Sequence, residues 1–204
     1  MRYISLALFL TAPLFHVPAA QATPMTFVGS LNSAMENNPG DNSPGTGFTT
    51  VILDPMAQTI QVNVSFSGLT SLTTAAHIHC CAPLGTNAPV ATTVPAFPGF
   101  PIVANGNGVT SGDYHSAVLS LLDPTTYNMT PVTGFLAMFG GDVTKAEAAL
   151  VAGIESGMTY LNIHTQNFPG GEIRSQLEPA PEPASLILLG SALVGFGLIR
   201  RYKA

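Results

Sequence analysis

Positive charge is scarce in this chain. Of its 204 residues six are lysine or arginine, and four of these, Arg2, Arg200, Arg201 and Lys203, sit at the two ends. Between residues 23 and 183 only Lys145 and Arg174 stand against eleven acidic residues, a net charge of −9. Such a surface cannot displace the counterions of a phosphate backbone, which excludes nucleic acid as a partner. It also disfavours an anionic polysaccharide unless a divalent cation bridges the two. Cysteine is nearly absent, with Cys80 and the adjacent Cys81 the only two. The usual signatures of covalent and phosphoryl chemistry are missing as well. There is no Ser-His-Asp spacing and no Gly-rich phosphate cradle, and no pair of carboxylates stands out as catalytic acid and base.

The cations left at the ends belong to targeting segments. Met1-Arg2, the apolar run Ile4 to Leu14 and then Ala20-Gln21-Ala22 have the order of a secretory signal peptide, with cleavage expected after Ala22. Pro13, His16 and Pro18 interrupt the run too early for a membrane anchor. At the other end residues 184–199 are uncharged and Arg200-Arg201-Tyr202-Lys203 follows directly. Sixteen residues at ~1.5 Å each reach roughly 24 Å, which crosses a ~30 Å hydrocarbon core with help from snorkelling flanks. Basic residues beyond this transmembrane helix put the C-terminus in the cytoplasm and the preceding domain outside. Pro181-Glu182-Pro183, the apolar helix and the basic tail together resemble a PEP-CTERM sorting signal. That resemblance implies an exosortase as partner. It also implies anchoring in the inner membrane before processing, and release to, or attachment at, the outer cell surface after it. Surface matrix or exopolysaccharide is then the neighbouring partner class.

Residues 1–22, 23–180 and 181–204 are thus expected to be a signal peptide, a domain and a sorting segment. Short β-branched runs between Gly, Pro, Ser and Thr turns make the domain all-β, an antiparallel sandwich or barrel. Strands are predicted over Thr26–Leu31, Phe48–Leu53, Thr59–Phe66, Tyr114–Leu122, Tyr160–Thr165 and Glu172–Leu177. In the third, Ile60, Val62, Val64 and Phe66 share one face. Residues 82–112 hold five prolines and read as a long loop covering one end of the sheet, anchored by Phe97 and Phe100. Thr144-Lys145-Ala146-Glu147 has the form of a capping box. The stripe Ala146, Ala149, Leu150, Gly153, Ile154 then predicts one packed helix stopping at Gly157. Phe135–Phe139 is a further short helical or buried segment.

The chemistry concentrates in Ala76-His77-Ile78-His79-Cys80-Cys81. On a strand His77 and His79 point the same way, and Ala76 and Ile78 the other. His164 lies with Tyr160 and Asn162 on the polar face of a later strand, and is the best third imidazole. Three imidazoles suit copper or zinc. Cys81 shares the histidine face if the strand continues, as a soft fourth ligand. Against that, two thiols in an exported protein oxidise. A bridge between neighbours whose Cα atoms are ~3.8 Å apart is strained and easily reduced, and it removes Cys81 as a ligand. His115 reads as a rim residue. Arg174 and Glu172 share a face and read as an ion pair or a carbonyl clamp.

The opening Phe27 to Leu31, the Ala76-His77-Ile78-His79 strand, Tyr160-Leu161-Asn162-Ile163-His164-Thr165 and Pro169-x-Gly171-Glu172-Ile173-Arg174-x-Gln176-Leu177 resemble a CHRD domain, the module repeated in chordin. The resemblance implies a Greek-key antiparallel β fold and no settled activity. Cys80-Cys81 and Ser175, where the family often has Gly, depart from its pattern. The His-x-His strand is similar, by fold-level analogy, to the copper half of copper-zinc superoxide dismutases. That family's zinc loop has no counterpart here, which argues against dismutase activity. Two readings stand: a non-catalytic, exosortase-sorted surface or matrix protein, or a copper- or zinc-binding protein, such as a redox enzyme, using His77, His79 and His164.

Overall fold

In the computed structural model, which describes residues 23–37 and 42–181, period-two alternation builds a meander of three strands. These are β1 (Met25–Asn32), β2 (Thr46–Asp54) and β3 (Thr59–Ser67), paired antiparallel along their whole length. Ile60, Val62, Val64 and Phe66 are all buried, as the alternation predicts. Each such side chain stabilises the fold by ~1.5–3 kcal/mol. The β2–β3 turn closes where Asp54 accepts from the amides of Met56 and Ala57, at 3.0 and 2.9 Å.

The chain then forms β4 (Thr73–Cys80), β5 (Gly112–His115), β6 (Leu119–Ser120), β7 (Thr159–Thr165), β8 (Ile173–Gln176) and β9 (Glu178–Pro179). The sheet order is β4-β7-β8-β1-β2-β3-β5, with β6 on β3 and β9 on β1, and every ladder is antiparallel. The return of β8 to the side of β1 follows a Greek-key path. The sheet curls into a half-barrel.

Residues 82–112 close it, along an edge of the sheet where the sequence suggested an end. The backbone of this segment bonds the free edge of β4, with Ala91 N to Ile78 O at 2.9 Å and Phe97 N to Ala76 O at 3.1 Å. Its aromatic anchors cross to the other edge, Phe100 lying 5.7 Å from Phe66 and 5.1 Å from Tyr114 between ring centres. The expected strand over 114–122 breaks into β5 and β6. The Ser116 hydroxyl accepts from Val62 N at 2.9 Å, a ladder bond that a backbone carbonyl would otherwise take.

Helix α1 (Phe135–Met138) precedes α2 (Val143–Glu155), which buries Ala146, Leu150, Gly153 and Ile154. The helix begins one residue before the expected capping box. Asp142 is the cap, accepting from the amides of Thr144 and Lys145 at 3.1 and 3.3 Å. That frees Glu147, which is buried and accepts from Gln58 at 3.2 Å. Among the described residues no helix is long and apolar enough to cross a membrane. The segments expected as signal peptide (1–22, with cleavage at Ala22) and transmembrane helix (184–199) lie outside the described residues, as do Glu182 and Pro183.

Where β1 passes β8 there is no room for a side chain. A Cβ on Gly29 would sit 2.4 Å from Gln176 O and 2.7 Å from Ser175 Oγ. Gly29→Ala is therefore expected to lower stability by about 1–3 kcal/mol, read as a fall in the urea midpoint at unchanged slope.

Candidate metal centre

The register of β4 on β7 pairs Ala76 with Ile163, His77 with Asn162, Ile78 with Leu161 and His79 with Tyr160. By strand alternation His77 and His79 share a face with Tyr160, Asn162 and His164, while Ala76, Ile78, Leu161 and Ile163 line the core. Sequence patterning finds the two faces but not their burial. Every residue of β7 is buried, and His77, His79 and His164 are only 5, 8 and 8 % exposed. The segment after β4 covers the polar face, with Ala88 N donating to the Tyr160 hydroxyl at 3.1 Å.

Each imidazole donates through Nδ1 to a main-chain carbonyl: His77 to Pro95 O at 3.2 Å, His79 to Ala88 O at 2.7 Å and His164 to Pro169 O at 2.9 Å. In the tautomer that satisfies all three carbonyls, each ring holds its single neutral-state proton on Nδ1 and turns a bare Nε2 inward. His77 Nε2 and His164 Nε2 lie 2.9 Å apart, and His79 Nε2 is buried with no hydrogen-bond partner. Two facing lone pairs at that distance repel unless a cation lies between them. Two nitrogens ~2.1 Å from one ion at the tetrahedral angle stand roughly 3.4 Å apart, so an ion between these two would spread them by about half an ångström. One ligand atom from each ring falls within 4.8 Å of the others.

Burial works against relieving the contact by protonation. Burial, then the charges of His164 and His79, lower the His77 pKa to about 2 against the opposing bond to Pro95. Burial lowers His79 to about 4, with His164 and Arg174 adding to the effect and the bond to Ala88 opposing it. Burial lowers His164 too. Orientation of ligand rings by carbonyls behind them is the usual outer-shell arrangement of imidazole metal sites.

A family model described as the CHRD domain matches residues 27–177, three quarters of the chain, with both histidine strands inside the match. The chain belongs to the CHRD family. A second model, the PEP-CTERM protein-sorting motif, matches residues 179–201, so the CHRD domain passes directly into a sorting signal of the kind an exosortase recognises. No curated protein and no solved structure matches the chain.

Within the CHRD domain, Arg174 and Glu172 do not act as a pair. Glu172 lies before β8 and accepts from Ser43 Oγ, Thr165 Oγ1 and, at 2.7 Å, Thr70 N. Arg174 clamps Thr86 O at 2.9 Å and Asn87 Oδ1 at 3.0 Å, and lies 3.4 Å over the Tyr160 ring. Tyr160 in turn stacks on His79 at 4.5 Å. Cys80 and Cys81 form a disulfide across a cis peptide, with Cα atoms 3.1 Å apart where a trans peptide would hold them at ~3.8 Å. β4 ends at Cys80, and both sulfurs lie against Ala149 O of α2, so Cys81 is no fourth ligand. His115 is exposed on the rim and bonds Asn63 at 2.9 Å. Sequence reasoning missed the carbonyls of Ala88, Pro95 and Pro169, because no residue type signals a carbonyl's direction.

The depressed histidine values set a pH dependence. The unfolded chain binds protons below pH ~6.5 that His79 refuses until about 4 and His77 until about 2. Chelator-treated protein is expected to be most stable above that range. As pH falls, each of these histidines should remove about 1.4 kcal/mol per pH unit. Urea unfolding at pH 7, 6 and 5 should show this slope, and His79→Gln should reduce it by one proton's worth.

Proposed function

We propose that this CHRD domain is a non-catalytic metal-binding module of the outer cell surface, holding one copper or zinc ion on His77, His79 and His164. The observation that carries it is the inward convergence of three Nε2 atoms, two of them 2.9 Å apart, from rings whose Nδ1 atoms each meet a carbonyl. The sorting motif supports a route of delivery. The leader is removed after Ala22 and the domain of residues 23–180 crosses the inner membrane. The segment 181–204, with its span at 184–199, holds it there until an exosortase acts near Pro181-Glu182-Pro183. Matrix or exopolysaccharide then surrounds the exported domain.

A purely structural role is the second reading, and the distance between the His77 and His164 nitrogens, which is that of a hydrogen bond, favours it. It requires one of these rings to turn a proton inward and set a lone pair against its carbonyl.

Elemental analysis of the exported protein after dialysis against copper or zinc is expected to give one ion per chain. His77→Ala with His79→Ala should abolish it. At ~100 times the dissociation constant the ion should add about 2.7 kcal/mol of stability. A wild-type protein that takes up neither metal leaves only the structural reading. For sorting, Glu182→Ala is expected to leave unprocessed protein in the membrane fraction on an immunoblot, and unchanged processing would count against exosortase handling.

A further inference from the structure

We propose that the ion this site selects is monovalent copper. The inference rests on the three-histidine reading above and adds the charge and coordination number of the ion. Among the described residues the cluster of potential ligands is His77, His79 and His164 alone, with no carboxylate or thiolate in it. Cys80 and Cys81 are bonded to each other beside α2, and Glu172 is held by Ser43, Thr70 and Thr165. The net charge of the loaded site is therefore the charge of the ion itself.

That charge lies out of water. The cost of burying an ion grows as the square of its charge, so a dication costs about four times what a monocation does. Many zinc sites lower this cost with thiolate or carboxylate ligands, and this one, like three-histidine zinc sites, has none. Behind the triad stands a further positive charge. The Arg174 guanidinium lies 3.4 Å over Tyr160, and Tyr160 stacks on His79 at 4.5 Å. Arg174 acts on His79 as a repelling charge. Glu36 acts on Tyr160 with the opposite sign, from the side of Gly171 and Asn162. A dication meets twice the repulsion from Arg174 that a monocation meets.

Coordination number points the same way. Zn²⁺ takes four ligands, so on this triad a water would have to enter the covered site and complete the set, as it does in three-histidine zinc enzymes. The face of His79 is closed by the Tyr160 ring, and its Nδ1 by Ala88. Cu⁺, with a filled d shell and a single charge, is content with three neutral imidazoles.

The test is a competition on the full chain, expressed with its export signals and stripped with chelator. Cu⁺ is added under argon as its acetonitrile complex against bathocuproine disulfonate, and Zn²⁺ and Cu²⁺ are titrated separately against their own indicators. The expected result is one Cu⁺ per chain, bound at least about 100-fold more tightly than Zn²⁺ or Cu²⁺. Zn²⁺ or Cu²⁺ binding as tightly as Cu⁺ overturns the proposal and leaves the three-histidine site standing. No binding of any of the three ions overturns both. Two variants test the cause. Arg174→Gln, which removes the background charge, should narrow the Cu⁺ preference about tenfold. His79→Asp, which adds an anionic ligand, should move it toward Zn²⁺ even if Arg174→Gln fails to fold. A preference that His79→Asp leaves unmoved overturns the charge argument.

Discussion

The polar face of the β4–β7 pair is out of water, and the arrangement above it answers that constraint. A sheet face carrying three imidazoles, a tyrosine and an asparagine normally meets solvent, where each polar group is satisfied at no cost. Here the segment after β4 folds back along the strand edge and shields them. Buried donors then need acceptors, and main-chain carbonyls at residues 88, 95 and 169 supply them to the three rings. Arg174, nearly the last cation left in the domain, is spent on the same cover, holding Thr86 and Asn87 while stacking on Tyr160. With the outer nitrogens set against carbonyls, the inner ones of His77 and His164 face each other and that of His79 is buried without a hydrogen bond.

Much of this fold is legible in the residues. Period-two alternation locates β1, β2, β3 and β7 to within a few residues at each end, because their apolar faces bury against one core. The same rule puts His77, His79 and His164 on coplanar faces of strands far apart in the chain. Three things escaped it. The capping box at Thr144 gave way to Asp142, whose carboxylate lies where it accepts from the amides of both Thr144 and Lys145. The strand over 114–122 broke at Ser116, whose hydroxyl substitutes for a backbone group. The carbonyl cover on the histidines depends on the path of a proline-rich segment, and no side-chain pattern encodes that path.

The disulfide and the triad occupy successive residues yet serve different neighbours. His79 turns to the polar face, while Cys80 and Cys81 reach α2 at Ala149 and Gly153, where a Cβ on Gly153 would strike Cys80 Sγ. One short stretch thus ties the edge strand to the helix on one side and carries the imidazoles on the other. The family match spans both, and Ser175, seated against Gly29, lies inside it without disturbing either.

The described chain ends with β9 paired to β1, Ala180 N bonding Thr26 O at 2.8 Å, and Pro181 follows at once. The sorting tripeptide therefore begins with no slack. The motif match itself starts at residue 179, inside β9, so the last strand of the domain and the first residues of the sorting signal are the same stretch of chain.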